Sequence, residues 1–74
     1  MNRTAADLKP GESGTILAIN EEAIPLRVVE LGCVPGHQIE VIRIAPLGDP
    51  ILFQLDGNQI AIRKQTAQLI QIAN

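Results

Sequence analysis

Glycine and proline break this chain so often that its apolar residues fall into short segments, none near the ~18 consecutive apolar residues of a membrane-spanning helix. Six Gly and five Pro among 74 residues leave stretches of strand length between the breaks. That is the pattern of a small all-β fold with one helical insertion. The clearest break is Asp56-Gly57, a two-residue turn that demands φ > 0. It stands between alternating Ile51, Phe53 and Leu55 on one side and Ile60 and Ile62 on the other. The spelling predicts two antiparallel strands, each turning one face to a core.

The same reading places the remaining elements. Residues 7–12 form a lead-in and turn. Residues 15–20 predict a first strand, apolar at consecutive positions and therefore buried on both faces or bulged. A short helix is expected in the segment from Ile24 to Gly32. Glu21 and Glu22 precede it, Pro25 suits its first turn, Gly32 suits the C-terminal left-handed position, and Pro35 lies just beyond. Ile24, Val28 and Leu31 fall at i, i+4 and i+7 and make the core-facing stripe. Residues 38–44 predict a second strand whose apolar face changes phase between Val41 and Ile42, the mark of a bend. Residues 45–50 read as an exposed loop, 65–68 as one helical turn and 69–72 as a last strand. About five short strands in so small a chain most easily remove their edges by closing into a barrel.

Composition sets the limits on function. The apolar residues are mainly aliphatic: eleven Ile, eight Leu, four Val and eight Ala stand against one Phe and no Tyr or Trp. Residues 1–74 read as one domain with its core inside 7–72, and a domain of this size buries only about 60–65% of its unfolded surface. Cys33 is the one cysteine, so no internal disulfide staples the fold, and a lone thiol fits a reducing compartment. Residues 1–10 lack the n-region and h-region of a signal peptide. A net charge of −2 with a pI near 5.1 argues against general affinity for nucleic acid. A cytoplasmic module without membrane insertion of its own follows.

Little here supports catalysis. There is one His and one Cys, no G-x-S-x-G elbow and no Gly-rich loop ending in Gly-Lys-Ser/Thr. The chain is therefore expected to be no enzyme and to carry no cofactor. Cys33, His37 and Asp49 are weak metal candidates, since transition-metal sites usually draw on three or four softer protein ligands. Alternation assigns Phe53 to the core, which removes the stacked aromatics of a proline-peptide groove. Arg43, Arg63 and Lys64 read as a solvated face rather than a nucleic-acid footprint.

The helix offers a second apolar stripe. At about 100° per residue, Leu26, Val29 and Cys33 lie roughly opposite Ile24, Val28 and Leu31. This stripe is exposed unless the N-terminal segment or the loop around Leu47 folds over it. Left uncovered, Leu26, Val29 and Cys33 would form a protein-docking patch together with Leu47, Gly48 and Asp49. Exposed strand edges and the same ridge leave self-association open.

Four stretches carry a family resemblance: Leu8-Lys9-Pro10-Gly11-Glu12-Ser13-Gly14, Leu31-Gly32-Cys33-Val34-Pro35-Gly36, Ala45-Pro46-Leu47-Gly48-Asp49-Pro50-Ile51, and Ile60-Ala61-Ile62-Arg63-Lys64 followed by Ala67 and Ile70. In this order and spacing the sequence resembles the FeoA family, small accessory proteins of bacterial ferrous iron transport. The resemblance implies an SH3-like barrel with a short helix between strands one and two. It also implies a non-enzymatic partner docked on the cytosolic part of the FeoB-type membrane iron permease, modulating its assembly or nucleotide-driven cycle. The same domain is similar to the C-terminal module of some iron-dependent repressors, which implies a metal-responsive regulatory module as the alternative. A small barrel that binds RNA or DNA is a third and weaker reading.

Overall fold

The computed structural model describes residues 3–73; Met1, Asn2 and Asn74, the outermost residues of the expected single unit, lie outside the described residues. Six antiparallel strands run in chain order as β1 (Arg3–Thr4), β2 (Ser13–Ile19), β3 (Gln38–Ile44), β4 (Ile51–Leu55), β5 (Asn58–Ile62) and β6 (Ile70–Ile72). Their order across the sheet is β1-β6-β2-β3-β4-β5. The helix α1 (Leu26–Glu30) lies between β2 and β3, and a single helical turn, α2 (Lys64–Ala67), joins β5 to β6.

The expected alternation sets the core. Ile51, Phe53 and Leu55 of β4 and Ile60 and Ile62 of β5 all point inward, and Phe53 is fully buried. Asp56 (φ 48°) and Gly57 (φ 80°) make the two-residue turn with both residues at positive φ. The bend anticipated near Ile42 is present as a register shift between Val41 and Arg43 in the β3–β4 ladder. A second shift, between Ile16 and Ala18, explains the consecutive apolar residues of β2. Residues 13–15 pair with β3, and from Ile16 onward, across the shift, the strand pairs with β6. One bulged strand thus serves both halves of the sheet.

The structure adds a strand that the sequence pattern did not separate. Arg3 and Thr4 pair with Ile72 and Gln71, and the 3-10 turn that follows (Ala5–Asp7) buries Ala5 completely. Two residues of strand carry too little alternation to read, and the packing begins ahead of the lead-in that the pattern predicts. The edges of the sheet, β1 and β5, run directly into the 3-10 turn and α2, and these two turns pack against each other. Ala5 and Ala67, both fully buried, are small enough for that approach. The sheet therefore curls into an SH3-like barrel whose seam is bridged by helical turns.

The helix is shorter than the segment that spells it. It begins after Pro25, which occupies the cap position with extended backbone (φ −53°, ψ 136°), and ends at Glu30. Ile24 and Val28 are buried as expected, while Leu31 is half-buried against the core edge. No helix among the described residues is long and apolar enough to cross a membrane.

Candidate functional site

The residues expected to form the docking patch do not lie together. Leu26, on the first turn of α1, is 69% exposed, and Leu47, at the tip of the β3–β4 loop, is 97% exposed. Val29 is half-buried and packs on the core. Cys33 is fully buried within the core and cannot belong to a surface. The error has a local cause. Helical geometry stops at Glu30, and Gly32, at φ 119°, turns the chain before Cys33. A 100° step extrapolated past that point places the thiol on the wrong side.

Gly32 also fixes where the end of α1 sits. A Cβ at that position would come within 2.5 Å of Asp56 Oδ2 and 3.1 Å of Asp56 Cβ. Only glycine admits both this backbone and this neighbour. The end of α1 is therefore held at the β4–β5 turn. The register Ile39↔Leu55 and Ile44↔Ile51 puts the loop of Leu47, Gly48 and Asp49 at the other end of the same strands. Four residues of β4 at about 3.3 Å each separate the two ends by about 13 Å. Leu26 and Leu47 are two separate apolar projections.

The weak metal candidates are also dispersed. Burial pushes the Cys33 thiol up to about 11, so it is protonated at neutral pH and is no ready thiolate. His37 Nδ1 lies 2.7 Å from Asp56 Oδ2. Asp49 Oδ1 accepts the backbone N–H of Lys64 at 2.8 Å, and its other oxygen is 3.9 Å from Arg63. Among the described residues no three His, Cys, Asp or Glu side chains converge on a common point.

Asp49 has a structural task that the sequence does not spell. The residue at the cap of α2 is Arg63, which offers no side-chain acceptor, and the carboxylate comes instead from a loop fourteen residues earlier. A cap of this kind satisfies one of the orphan donors of the helical turn and meets its positive end. Local capping rules look only within a few residues, so no local signal marks Asp49. The 45–50 loop itself is closed by Ala45 N–H to Pro50 O (3.0 Å) and Gly48 N–H to Ala45 O (2.7 Å), with a cis peptide bond between Asp49 and Pro50.

Comparison with known proteins agrees with this architecture. The model of the FeoA domain matches residues 3–74. A solution structure of the FeoA protein from Chlorobium tepidum is 32% identical and superposes with a TM-score of 0.84, over 97% of this chain and 71% of that one. The Stenotrophomonas maltophilia FeoA, crystallised in complex with zinc and described as a prokaryotic SH3 domain protein, is 25% identical with a TM-score of 0.82, over 96% of this chain and 89% of that one. A fusion protein of Fe(2+) transport protein A and the Fe(2+) transporter FeoB, from Porphyromonas gingivalis, is 26% identical over 68 residues. Those residues are 90% of this chain but only 8% of the fusion protein.

Proposed function

Since this chain belongs to the FeoA family, we propose that it is a cytoplasmic, non-enzymatic accessory of ferrous iron uptake that docks on a FeoB-type permease and modulates it. The observation that carries this reading is the Porphyromonas gingivalis fusion, in which a region similar to this chain shares one polypeptide with the transporter. Fusion fixes a high effective concentration between partners that otherwise meet by diffusion. The chemistry of the molecule is consistent with such a role: Asp49 is engaged at a cap and Asp56 at a turn, and its one thiol is buried and protonated.

The docking element in this proposal is the exposed side of α1, with Leu26 as its anchor. A leucine 69% exposed on a helix of five residues adds nothing to the core. Val29, half-buried beside it, would be covered further by a partner. Leu47, on the loop at the other end of β4 from Gly32, would touch a separate part of the same partner. Mechanism on this reading is apolar complementarity, with no bond-making step.

The test is a photo-crosslinker at position 26 in cells that contain the permease. Capture of the permease supports the reading, and its absence from the captured material overturns it. In parallel, Leu26→Asp should reduce co-purification with the permease by about tenfold or more while changing stability by no more than about 0.5 kcal/mol. Loss of the fold in this variant would instead make Leu26 a core residue. Stoichiometric binding of Fe(2+) or Mn(2+) in a calorimetric titration would favour the metal-responsive alternative.

A further inference from the structure

The outer edge of β5 is open for pairing. β5 is the last strand of the sheet, and among the described residues it pairs only with β4. Its two-residue turn makes Leu55 and Asn58 a hydrogen-bonded pair, so Gln59 and Ala61 turn their backbone N–H and C=O groups away from β4. Both residues are exposed, and no other backbone bond engages them among the described residues. Natural edges are usually blunted by charge, proline or brevity. The opposite edge, β1, has two residues and carries Arg3. β5 has five residues, Asn-Gln-Ile-Ala-Ile, with neither charge nor proline.

Beside this edge the outer face of the sheet is apolar and flanked by cations. Arg43, Leu52 and Ala61 are cross-strand neighbours in one row that ends at the edge. Above the row, Ile44, Pro46 and Pro50 complete an open apolar groove of about 340 Å³. Arg43 borders it, and Arg63 and Lys64 follow β5 directly. Neither Arg43 nor Lys64 has a carboxylate partner among the described residues, and Arg63 reaches Asp49 only at 3.9 Å. Three cations against one aspartate make this corner positive in a chain whose net charge is −2.

We infer that the β5 edge receives an extended, acidic segment of a partner protein, added as a further strand with an apolar side chain beside Ala61. Backbone groups at the edge supply the pairing, and the row of alternating side chains supplies the register. Ala61 is small, so a larger side chain on the added strand leans over it onto Leu52 and fills the groove. The cations choose an acidic segment. A second copy of this chain is the poorer occupant, because it brings the same three cations to the joined sheet. This surface is distinct from α1, and the inference stands whether or not the partner is a permease.

The experiment is an NMR titration of the isotope-labelled chain with the peptide Thr-Glu-Thr-Val-Thr-Glu-Thr, whose valine and glutamates share one face of a strand, against the same peptide with lysine in place of glutamate. The acidic peptide should shift the amide signals of Gln59 to Ile62 and slow hydrogen exchange at the Gln59 and Ala61 amides. Ala61→Pro removes an outward donor without touching the β4 ladder and should abolish those shifts. If that variant does not fold, the double charge reversal Arg43→Glu, Lys64→Glu should weaken the acidic peptide by about tenfold or more and favour the basic one. Equal response to both peptides, shifts centred on α1, no response at all, or concentration-dependent shifts at β5 without peptide would each overturn the inference.

Discussion

At one end of β4, the carboxylate of Asp56 rests against Gly32 and lies 2.7 Å from His37 Nδ1. At the other end, Asp49 reaches out of its loop to accept the N–H of Lys64 at 2.8 Å. The first contact joins two side chains that are each about two-fifths exposed or more, beside a backbone only glycine can adopt. The second replaces a missing helix cap. Both contacts are exposed, so water can satisfy the partners if they part; the difference is that the Lys64 amide is an end donor of a helical turn, whereas His37 and Asp56 are two side chains. Two aspartates of similar exposure thus contribute through different partners, and the partner decides what each is worth. What fixes the Asp56 end is Gly32, whose backbone and close neighbour admit no side chain, more than the exposed His37–Asp56 contact.

The contrast is open to attack by substitution, most forcefully at Gly32. Gly32→Ala imposes a φ of 119° on a residue with a Cβ and drives that atom into Asp56. We expect a loss of about 2–4 kcal/mol in denaturant unfolding. Asp56→Gly in the same background relieves the clash and leaves the backbone strain, so partial rescue is the expected result. Full rescue would show that the carboxylate, and not the backbone, is what demands glycine.

Alkaline titration probes the buried side of the same end. The native thiol is held protonated up to about pH 11, while the unfolded chain releases the proton near 9.0. The native state therefore binds more protons within that window. Its stability is complete below pH 9, falls between 9 and 11, and is level above, by about 2–3 kcal/mol for a shift of this size. Cys33→Ala should remove that slope, seen as a flatter pH dependence of the unfolding midpoint. A slope unchanged by the substitution would place its origin elsewhere.

The smallest effects separate the aspartates themselves. Asp49→Ala should cost about 1 kcal/mol, the usual worth of a helix cap. His37→Ala should cost no more than about 1 kcal/mol, as for an exposed side-chain contact. Equal losses measured in the same denaturation series would erase the distinction between the two ends.

How far the chain could be read in advance follows from the range over which each interaction acts. The β4–β5 hairpin was legible because alternation and Asp56-Gly57 act within neighbouring residues. The bulges of β2 and β3 were legible as breaks in phase. Exposure was legible in part: Leu26 and Leu47 are exposed, but helical periodicity carried Cys33 to the surface when the helix had already ended. The pairing of β1 with β6, the cap from Asp49 and the seat of Asp56 on Gly32 join residues far apart in sequence, with no local spelling at either end.

By itself, then, the amino-acid order determined the turns, the alternating strands, the aliphatic core and the family to which the chain belongs. The first three rest on backbone preferences and hydrophobic periods that repeat within a few residues; the family rests on the likeness of four stretches to its known members. Tertiary structure alone decided which way Cys33 faces, which carboxylate caps α2, and that the end of α1 and the loop of Leu47 lie at opposite ends of β4. Those outcomes depend on where the chain returns in space after a bulge or a glycine, and a change of direction there moves every side chain beyond it.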